Sequence, residues 1–357
     1  RLVGSEMCIR DSELGAKKII ARLRNQQYTT RHSIIKPEKF GIDLVIHPEK
    51  EACSEIVQLV RHSYATQVMD FEGGRIQMIG IRLDIDSPII GKTVREICEE
   101  ELEFKFGIIT VLRDGESHVP WSDYEFKEND TAYFIVKTKS LEALMVHLGK
   151  EATKTNSVII LGGSKIGRSV AQELENEMSV RLIDNRRDKA EWLASNLKET
   201  MIIHGDGTDA NVLVMSGLDS TESFIATTGD NEANIISCLL AKHLMNRNNR
   251  DQQTGHGKTI ALVNKEDYLV LASTIGLDIA LNAKISAANE ILKFVRRNEL
   301  LSVAHLHGVD AEVVELIAAP GSDIAGKPLE KLASYFRQHN ILIGGVEQDG
   351  VWKVAVG

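Results

Sequence analysis

The chain has 357 residues, 43% hydrophobic and 26% charged, with 27 glycines against six prolines; this suits a globular α/β protein of two or more domains and excludes a disordered or collagen-like chain. A net charge of −9 excludes a general basic face, so no nucleic-acid partner is expected. Cys8, Cys53, Cys98 and Cys238 stand far apart without a CxxC pair, which excludes a zinc or disulfide framework legible in sequence, and no apolar run reaches the roughly 18 residues of a membrane-spanning helix.

Residues 1–12 start basic but lack the apolar core of an export signal; they match nothing in the repeat that follows and read as a sequence artefact outside the fold. Ile20-Ala21-Arg22-Leu23 reads as a strand. Phe40-Gly41-Ile42-Asp43 follows, then Ala52, Glu55, Ile56, Val60 and Arg61 at helical spacing. The same series recurs 235 residues later as Ile275-Gly276-Leu277-Asp278, then Ala287, Glu290, Ile291, Val295 and Arg296. Ile89-Ile90-Gly91-Lys92 answers Ile324-Ala325-Gly326-Lys327, and Asp114-Gly115 answers Asp349-Gly350, at the same offset. The first strand pairs instead with Ile260-Ala261-Leu262-Val263 at an offset of 240, a five-residue change of the kind loops absorb. So long a period indicates a tandem duplication of a domain pair rather than a solenoid.

Each half contains a part that the other lacks, so the repeat predicts a fragment of a parent of about 460 residues. The expected divisions are 13–64, the C-terminal part of a first Rossmann-like domain; 65–150, a first small domain; 155–300, a second Rossmann-like domain; and 301–357, a shortened second small domain. In the first small domain, the alternation from Arg75 to Leu83 and the turn at Asp114-Gly115 predict an α+β module with hairpins. Ile90-Gly91-Lys92-Thr93 contains G-K-T without the upstream glycine of a phosphate loop.

From Ser157 onward, short apolar runs alternate with helical periodicity, the pattern of a doubly wound parallel sheet. Val158-Ile159-Ile160-Leu161 reads as a buried strand, Gly162-Gly163-Ser164-Lys165-Ile166-Gly167 as a glycine turn, and Ile166, Val170 and Leu174 as one helix face. Val180-Arg181-Leu182-Ile183 is the next strand and ends on Asp184, where a ribose-binding acid belongs. Glycine permits the tight turn, the helix N-terminus offers N–H groups to a pyrophosphate, and a carboxylate accepts from ribose hydroxyls. Ser164 replaces the middle glycine of the fingerprint; its hydroxyl is small enough to donate in place of the backbone. Arg186 and Arg187 follow the acid, which on balance favours an unphosphorylated ribose.

At later strand ends, Asp206 in Gly205-Asp206-Gly207 and Thr228-Gly229 converge on the same crevice, as ligand contacts or as helix N-caps. Glu232 and Asn234 open the next helix as capping or contact residues. Arg22 and Arg24 end the first-half strand, where guanidinium groups suit phosphate; the second-half counterparts are Leu262 and Asn264, so the two crevices differ in chemistry.

Together, Gly162 to Gly167, Asp184, the Gly205-Asp206 turn and Thr227-Thr228-Gly229-Asp230-Asn231-Glu232-Ala233-Asn234 resemble the regulator-of-potassium-conductance (RCK) domain. The alternation of large and small modules resembles the duplicated Trk-type potassium-uptake subunits. The resemblance implies Rossmann-like domains alternating with small α+β domains, binding of NAD or NADH and possible use of ATP or ADP. It places the pyrophosphate loop at Gly162 to Ile166, the ribose acid at Asp184, a strand-end pair at Thr228 and Gly229, and a first-domain arginine at Arg22. It further implies a non-enzymatic cytoplasmic gating subunit, peripheral on the membrane, working as a dimer or tetramer ring with an integral potassium-translocating partner. The rival reading is an NAD-dependent oxidoreductase. Neither small module carries a His-Asp or Tyr-Lys constellation for hydride chemistry.

Overall fold

The computed structural model describes residues 18–23, 36–150, 155–248, 257–296, 302–305, 312–349 and 351–354. Residues 1–12, Arg24 and Gly350, on which parts of the sequence reading rest, lie outside the described residues. The chain divides into two compact units: residues up to 57 together with 155–298, and residues 58–154 together with those from 299 on.

In the first unit, β1 (Ile20–Arg22) and β2 (Leu44–Ile46) run parallel, with Ile20 opposite Leu44 and Arg22 opposite Ile46. The Asp43 carboxylate accepts from the Ile19 amide at 2.6 Å and fastens the start of the pair. Helix α1 (Pro48–Arg61) begins on a proline, tolerated there because the first helical N–H has no intrahelical partner. It buries Ala52, Ile56 and Val60 at four-residue spacing.

In the second unit, β3 (Ala65–Phe71), β4 (Ile76–Arg82), β5 (Phe106–Arg113), β6 (Glu116–His118) and β7 (Thr131–Lys137) form an antiparallel sheet in the order β3-β4-β7-β5-β6. Helices α2 (Val94–Cys98) and α3 (Leu141–His147) complete the module. One sheet face carries Ile79, Ile81, Phe134 and Val136 and is covered by Leu141 and Leu144. The other carries Phe71, Ile76, Met78, Tyr133 and Ile135, against which Val313 and Trp352 pack. Both faces of β4 are therefore buried, and Gln77 is accommodated by donating to Asp70 at 2.9 Å. Thr93 and Glu96 form a reciprocal capping box: Thr93 Oγ1 accepts from the Glu96 amide and Glu96 accepts from the Thr93 amide at 2.7 Å. The G-K-T triplet is thus a helix start. Asp114 and Gly115, both at positive φ (53° and 83°), make the β5–β6 turn.

Back in the first unit, six parallel strands are β8 (Ser157–Leu161), β9 (Ser179–Asp184), β10 (Met201–His204), β11 (Ser223–Ala226), β12 (Lys258–Leu262) and β13 (Ile279–Leu281), ordered β10-β9-β8-β11-β12-β13. They alternate with α4 (Lys165–Leu174), α5 (Arg187–Asn196), α6 (Ala210–Met215), α7 (Asn231–Asn248), α8 (Asp267–Thr274) and α9 (Ala283–Arg296). Every residue of β8, β11 and β12 is buried, which is why these strands read as continuous apolar runs.

The β12–β13 pair repeats β1–β2 bond for bond. Ile260 faces Ile279 and Leu262 faces Leu281, and Asp278 accepts from the Thr259 amide at 2.9 Å as Asp43 does from Ile19. The 240-residue offset in the first strand and 235 in the second are both present in this register.

The rest of the second unit holds β14 (Ser302–His305), β15 (Glu312–Glu315), α10 (Leu329–Gln338), β16 (Gly345–Gln348) and β17 (Val351–Val354), with antiparallel pairs β14–β15 and β16–β17. Its turns repeat the first small module: Gly326 (φ 72°) matches Gly91 (φ 76°), and Asp349 (φ 54°) matches Asp114.

One carboxylate ties the end of α4 to the approach of β10. Glu175 accepts from the amides of Lys198 and Glu199 at 3.0 Å, the Thr200 amide at 3.2 Å and the Thr200 hydroxyl at 2.9 Å. Partial burial pushes its pKa up, but these donors outweigh burial and hold it below the usual carboxylate range. Glu175→Ala is expected to cost about 1.5 kcal/mol, since it strips four donors of a charged acceptor. A pKa depressed on folding gives stability that is present above the unfolded value and lost as pH falls through the folded one. Urea midpoints measured from pH 7 downward check both points: the gap between wild type and variant should be full at pH 7 and narrow as pH falls below the usual carboxylate range.

Candidate functional site

The strand order reverses between β8 and β11, and the carboxyl ends of the strands there border the crevice in which doubly wound folds place ligands. The turn leaving β8 is shaped by what surrounds it. Gly162 has φ +94°, and a Cβ there would lie 2.9 Å from the Thr228 amide nitrogen. A Cβ on Gly167 would fall on the Gly162 carbonyl oxygen and Thr227 Oγ1, far inside contact distance. A Cβ on Gly163 would collide with Leu193, and the Gly163 amide donates to Asp184 Oδ2 at 2.9 Å.

Ser164 is the N-cap of α4: its Oγ accepts from the Gly167 amide at 3.2 Å. The serine is therefore engaged with the helix end as an acceptor, while its O–H proton stays available to donate. Ile166 faces the core, 7% exposed, and Lys165 is exposed.

Asp184 ends β9 and is 4% exposed. Its Oδ2 accepts from Gly163 and lies 2.8 Å from Lys189 Nζ; its Oδ1 accepts from the Arg186 amide at 3.1 Å, with Arg186 Nε 3.8 Å away. Burial pushes the carboxyl up, but hydrogen bonds from Lys189 and from the Arg186 and Gly163 amides outweigh it and hold Asp184 below the usual carboxylate range. It is an anion at neutral pH.

Asp206 is exposed and caps no helix: its Oδ1 accepts from the amide and hydroxyl of Thr208, at 2.9 and 2.8 Å, in a local turn. The cap of α6 is Asp209. Thr228 does not cap α7 either. Its amide and hydroxyl both donate to Asn234 Oδ1, at 2.9 and 2.6 Å, while Asn234 Nδ2 donates to the Leu262 carbonyl at 2.8 Å. The cap is Asp230, which accepts from the Ala233 amide at 2.8 Å. Gly229 is exposed, and a Cβ there would meet nothing within 4 Å. Glu232 is engaged by the Tyr268 hydroxyl.

The structure thus brings Gly162, Gly163, Asp184 and Thr228 together through direct contacts, with Ser164 and Gly167 closing the same turn. Asp206 stands at the neighbouring strand end. Arg22 is elsewhere, exposed at the end of β1 in the separate two-stranded sheet.

Residues 158–283 match the TrkA-N domain family. The Trk system potassium uptake protein TrkA of Halomonas elongata is 27% identical over 299 residues, 84% of this chain and 63% of that protein. TrkA of Haemophilus influenzae is 30% identical over 318 residues, 88% of this chain and 67% of that one. The chain belongs to the TrkA family. It spans about two thirds or less of the length of these relatives. Among solved structures, the RCK domain of GsuK has the same fold over 82% of this chain (TM-score 0.57, 20% identity), as does a GsuK channel bound to NAD (TM-score 0.55, 19% identity).

Two residues of this TrkA-family crevice escaped the sequence reading as site organisers. Lys189 sits in the first turn of α5, where acidic side chains are ordinarily favoured; three cations within four residues, Arg186, Arg187 and Lys189 around Asp188, were the available signal. Asn234 read as one of several polar residues opening a helix. At 1% exposure it is a buried amide, and its partner Leu262 lies 28 residues on. Among the described residues, no group of three or more His, Cys, Asp or Glu is arranged to hold a metal ion, and no helix is long and apolar enough to cross a membrane.

Proposed function

We propose that this chain is the nucleotide-binding regulatory part of a potassium-uptake system, a non-catalytic gating subunit acting on an integral potassium-translocating membrane partner. The observation that carries this reading is the turn from Gly162 to Gly167 closed onto Asp184 and Thr228, within a TrkA-family chain. An adenine dinucleotide fits these residues. No Cβ stands over the turn at Gly162 or Gly163, the first turn of α4 presents N–H groups that lack intrahelical carbonyls, and Asp184 is a fixed anion beside them. When bound, such a group supplies a pyrophosphate for the helix end and ribose hydroxyls for the acid.

The site residues of this proposal are Gly162, Gly163, Ser164, Lys165, Ile166, Gly167, Asp184, Asp206, Thr228 and Gly229, with Arg22 serving the first-half crevice. NAD or NADH is the assigned ligand, favoured by the NAD-bound fold neighbour; ATP and ADP are candidates for the arginine-bearing first half. The division into 13–64, 65–150, 155–300 and 301–357, the assembly as a dimer or tetramer ring, and a cytoplasmic, membrane-peripheral location belong to the same proposal. Gating follows from population shift: a nucleotide moves the partner between open and closed only in proportion to its different affinity for two arrangements of the assembly.

Calorimetry of the chain with NADH, NAD, ATP and ADP, together with potassium uptake by a deficient host expressing it, tests the reading. Absence of both binding and rescue overturns it, and steady NADH turnover with a metabolite favours the oxidoreductase. Asp184→Ala is expected to weaken NADH binding about tenfold, near 1.4 kcal/mol; unchanged affinity removes Asp184 from the site.

A further inference from the structure

In a Rossmann crevice, an acid at the end of the second strand excludes a 2′-phosphate by charge, and dinucleotides with a free ribose are selected. Asp184 holds that position, but its charge is not presented alone. Lys189 Nζ lies 2.8 Å from Oδ2, and Arg186 Nε lies 3.8 Å from Oδ1, so one carboxylate faces two cations. Arg187, the third, turns away to Glu191 at 3.0 Å. Lys189 also lies against the turn itself, since its Cε would be 3.3 Å from a Cβ on Gly163.

Acceptor capacity leads to the same place. A carboxylate oxygen has two lone-pair sites. Those of Oδ2 are taken by the Gly163 amide and Lys189, and Oδ1 already accepts from the Arg186 amide. One acceptor site remains for a ribose that would offer two hydroxyls. Asp184 is only 4% exposed, whereas the Lys189 side chain is 23% exposed and that of Arg186 61%. The face open to a ligand is therefore more cationic than acidic.

We propose that Lys189 is a specificity-determining residue that makes this crevice accept a 2′-phosphorylated dinucleotide as well as an unphosphorylated one. This rests on the nucleotide reading above and relaxes the preference that Asp184 alone implied. Lys189 neutralises the repulsion by Asp184 and, with Arg186, offers the phosphate opposite charge.

The test is equilibrium binding of NADH and NADPH to the 357-residue chain as wild type, Lys189→Met and Lys189→Arg. The wild type is expected to bind NADPH within about tenfold of NADH, and Lys189→Met to weaken NADPH at least about tenfold more than NADH. Lys189→Arg should restore the ratio. A merely structural role for Lys189 would lower both affinities together, and that outcome overturns the proposal. So does a wild type that binds NADH and rejects NADPH by more than about a hundredfold; the nucleotide reading then stands. If neither nucleotide binds the wild type, that reading fails and this inference with it.

Discussion

Gly167→Ala is expected to destabilise the unit carrying the six-stranded sheet by about 3 kcal/mol and to abolish NADH binding. Two effects oppose each other. Alanine is favoured over glycine inside a helix by about 1 kcal/mol, and Gly167 lies within α4. Against this, the added methyl lands on the Gly162 carbonyl oxygen and Thr227 Oγ1. The first is backbone at the end of a fully buried strand, and the second is pinned by donating to the Leu161 and Gly162 carbonyls, at 3.2 and 2.9 Å. Neither can rotate aside, so the helix must lift from the strand, and overpacking of this kind exceeds the usual cost of roughly 1 to 3 kcal/mol. Urea denaturation and NADH titration read the two losses; an unchanged midpoint would mean the turn relaxes freely. Gly229→Ala is the matched control for the urea midpoint alone, since its added methyl meets nothing.

Asn234→Ala is the second large effect, about 3 kcal/mol. The Asn234 side chain accepts from the Thr228 N–H and donates to the Leu262 carbonyl, and both groups lie at strand ends of the same sheet. Truncation leaves these buried groups unpaired at about 1 to 3 kcal/mol each, partly recovered where water reaches Thr228, which is half-buried. Asn234→Asp keeps the acceptor for Thr228 and loses the donor to Leu262, so roughly half the destabilisation is expected. Because Gly162 lies against Thr228, NADH affinity should fall in the same order, alanine below aspartate. Equal affinities in the two variants would detach the Thr228 loop from binding.

The residues that sequence exposed most readily are those whose role is set by their neighbours in the chain. Gly162 to Gly167 follow a buried strand and open a helix, and Asp184 ends the next strand; spacing alone identifies both. Asn234 and Lys189 act through tertiary partners, a carbonyl on β12 and a carboxylate on β9; nothing local distinguishes Asn234 from a surface polar residue, and Lys189 is marked only by its neighbouring arginines. Asp206 misleads in the opposite direction, because two aspartates three residues apart compete for one cap and the geometry gives it to Asp209. In the small domain, the alternation from Arg75 to Leu83 marks β4 as a strand without showing how many of its faces are covered. It is covered on both, because Val313 and Trp352, more than 230 residues away, pack on the second.

The paired aspartates Asp43 and Asp278 bear on how the two halves diverged. Each sits at the beginning of its strand pair and fixes alignment there, leaving the far ends of the strands free of that duty. Arg22 and Leu262 occupy equivalent far ends with unlike chemistry. Arg22 is exposed and Leu262 is buried, so change carries little structural penalty only at the first: Arg22→Leu should leave β1–β2 aligned, whereas Leu262→Arg would bury an unpaired cation and destabilise the six-stranded sheet.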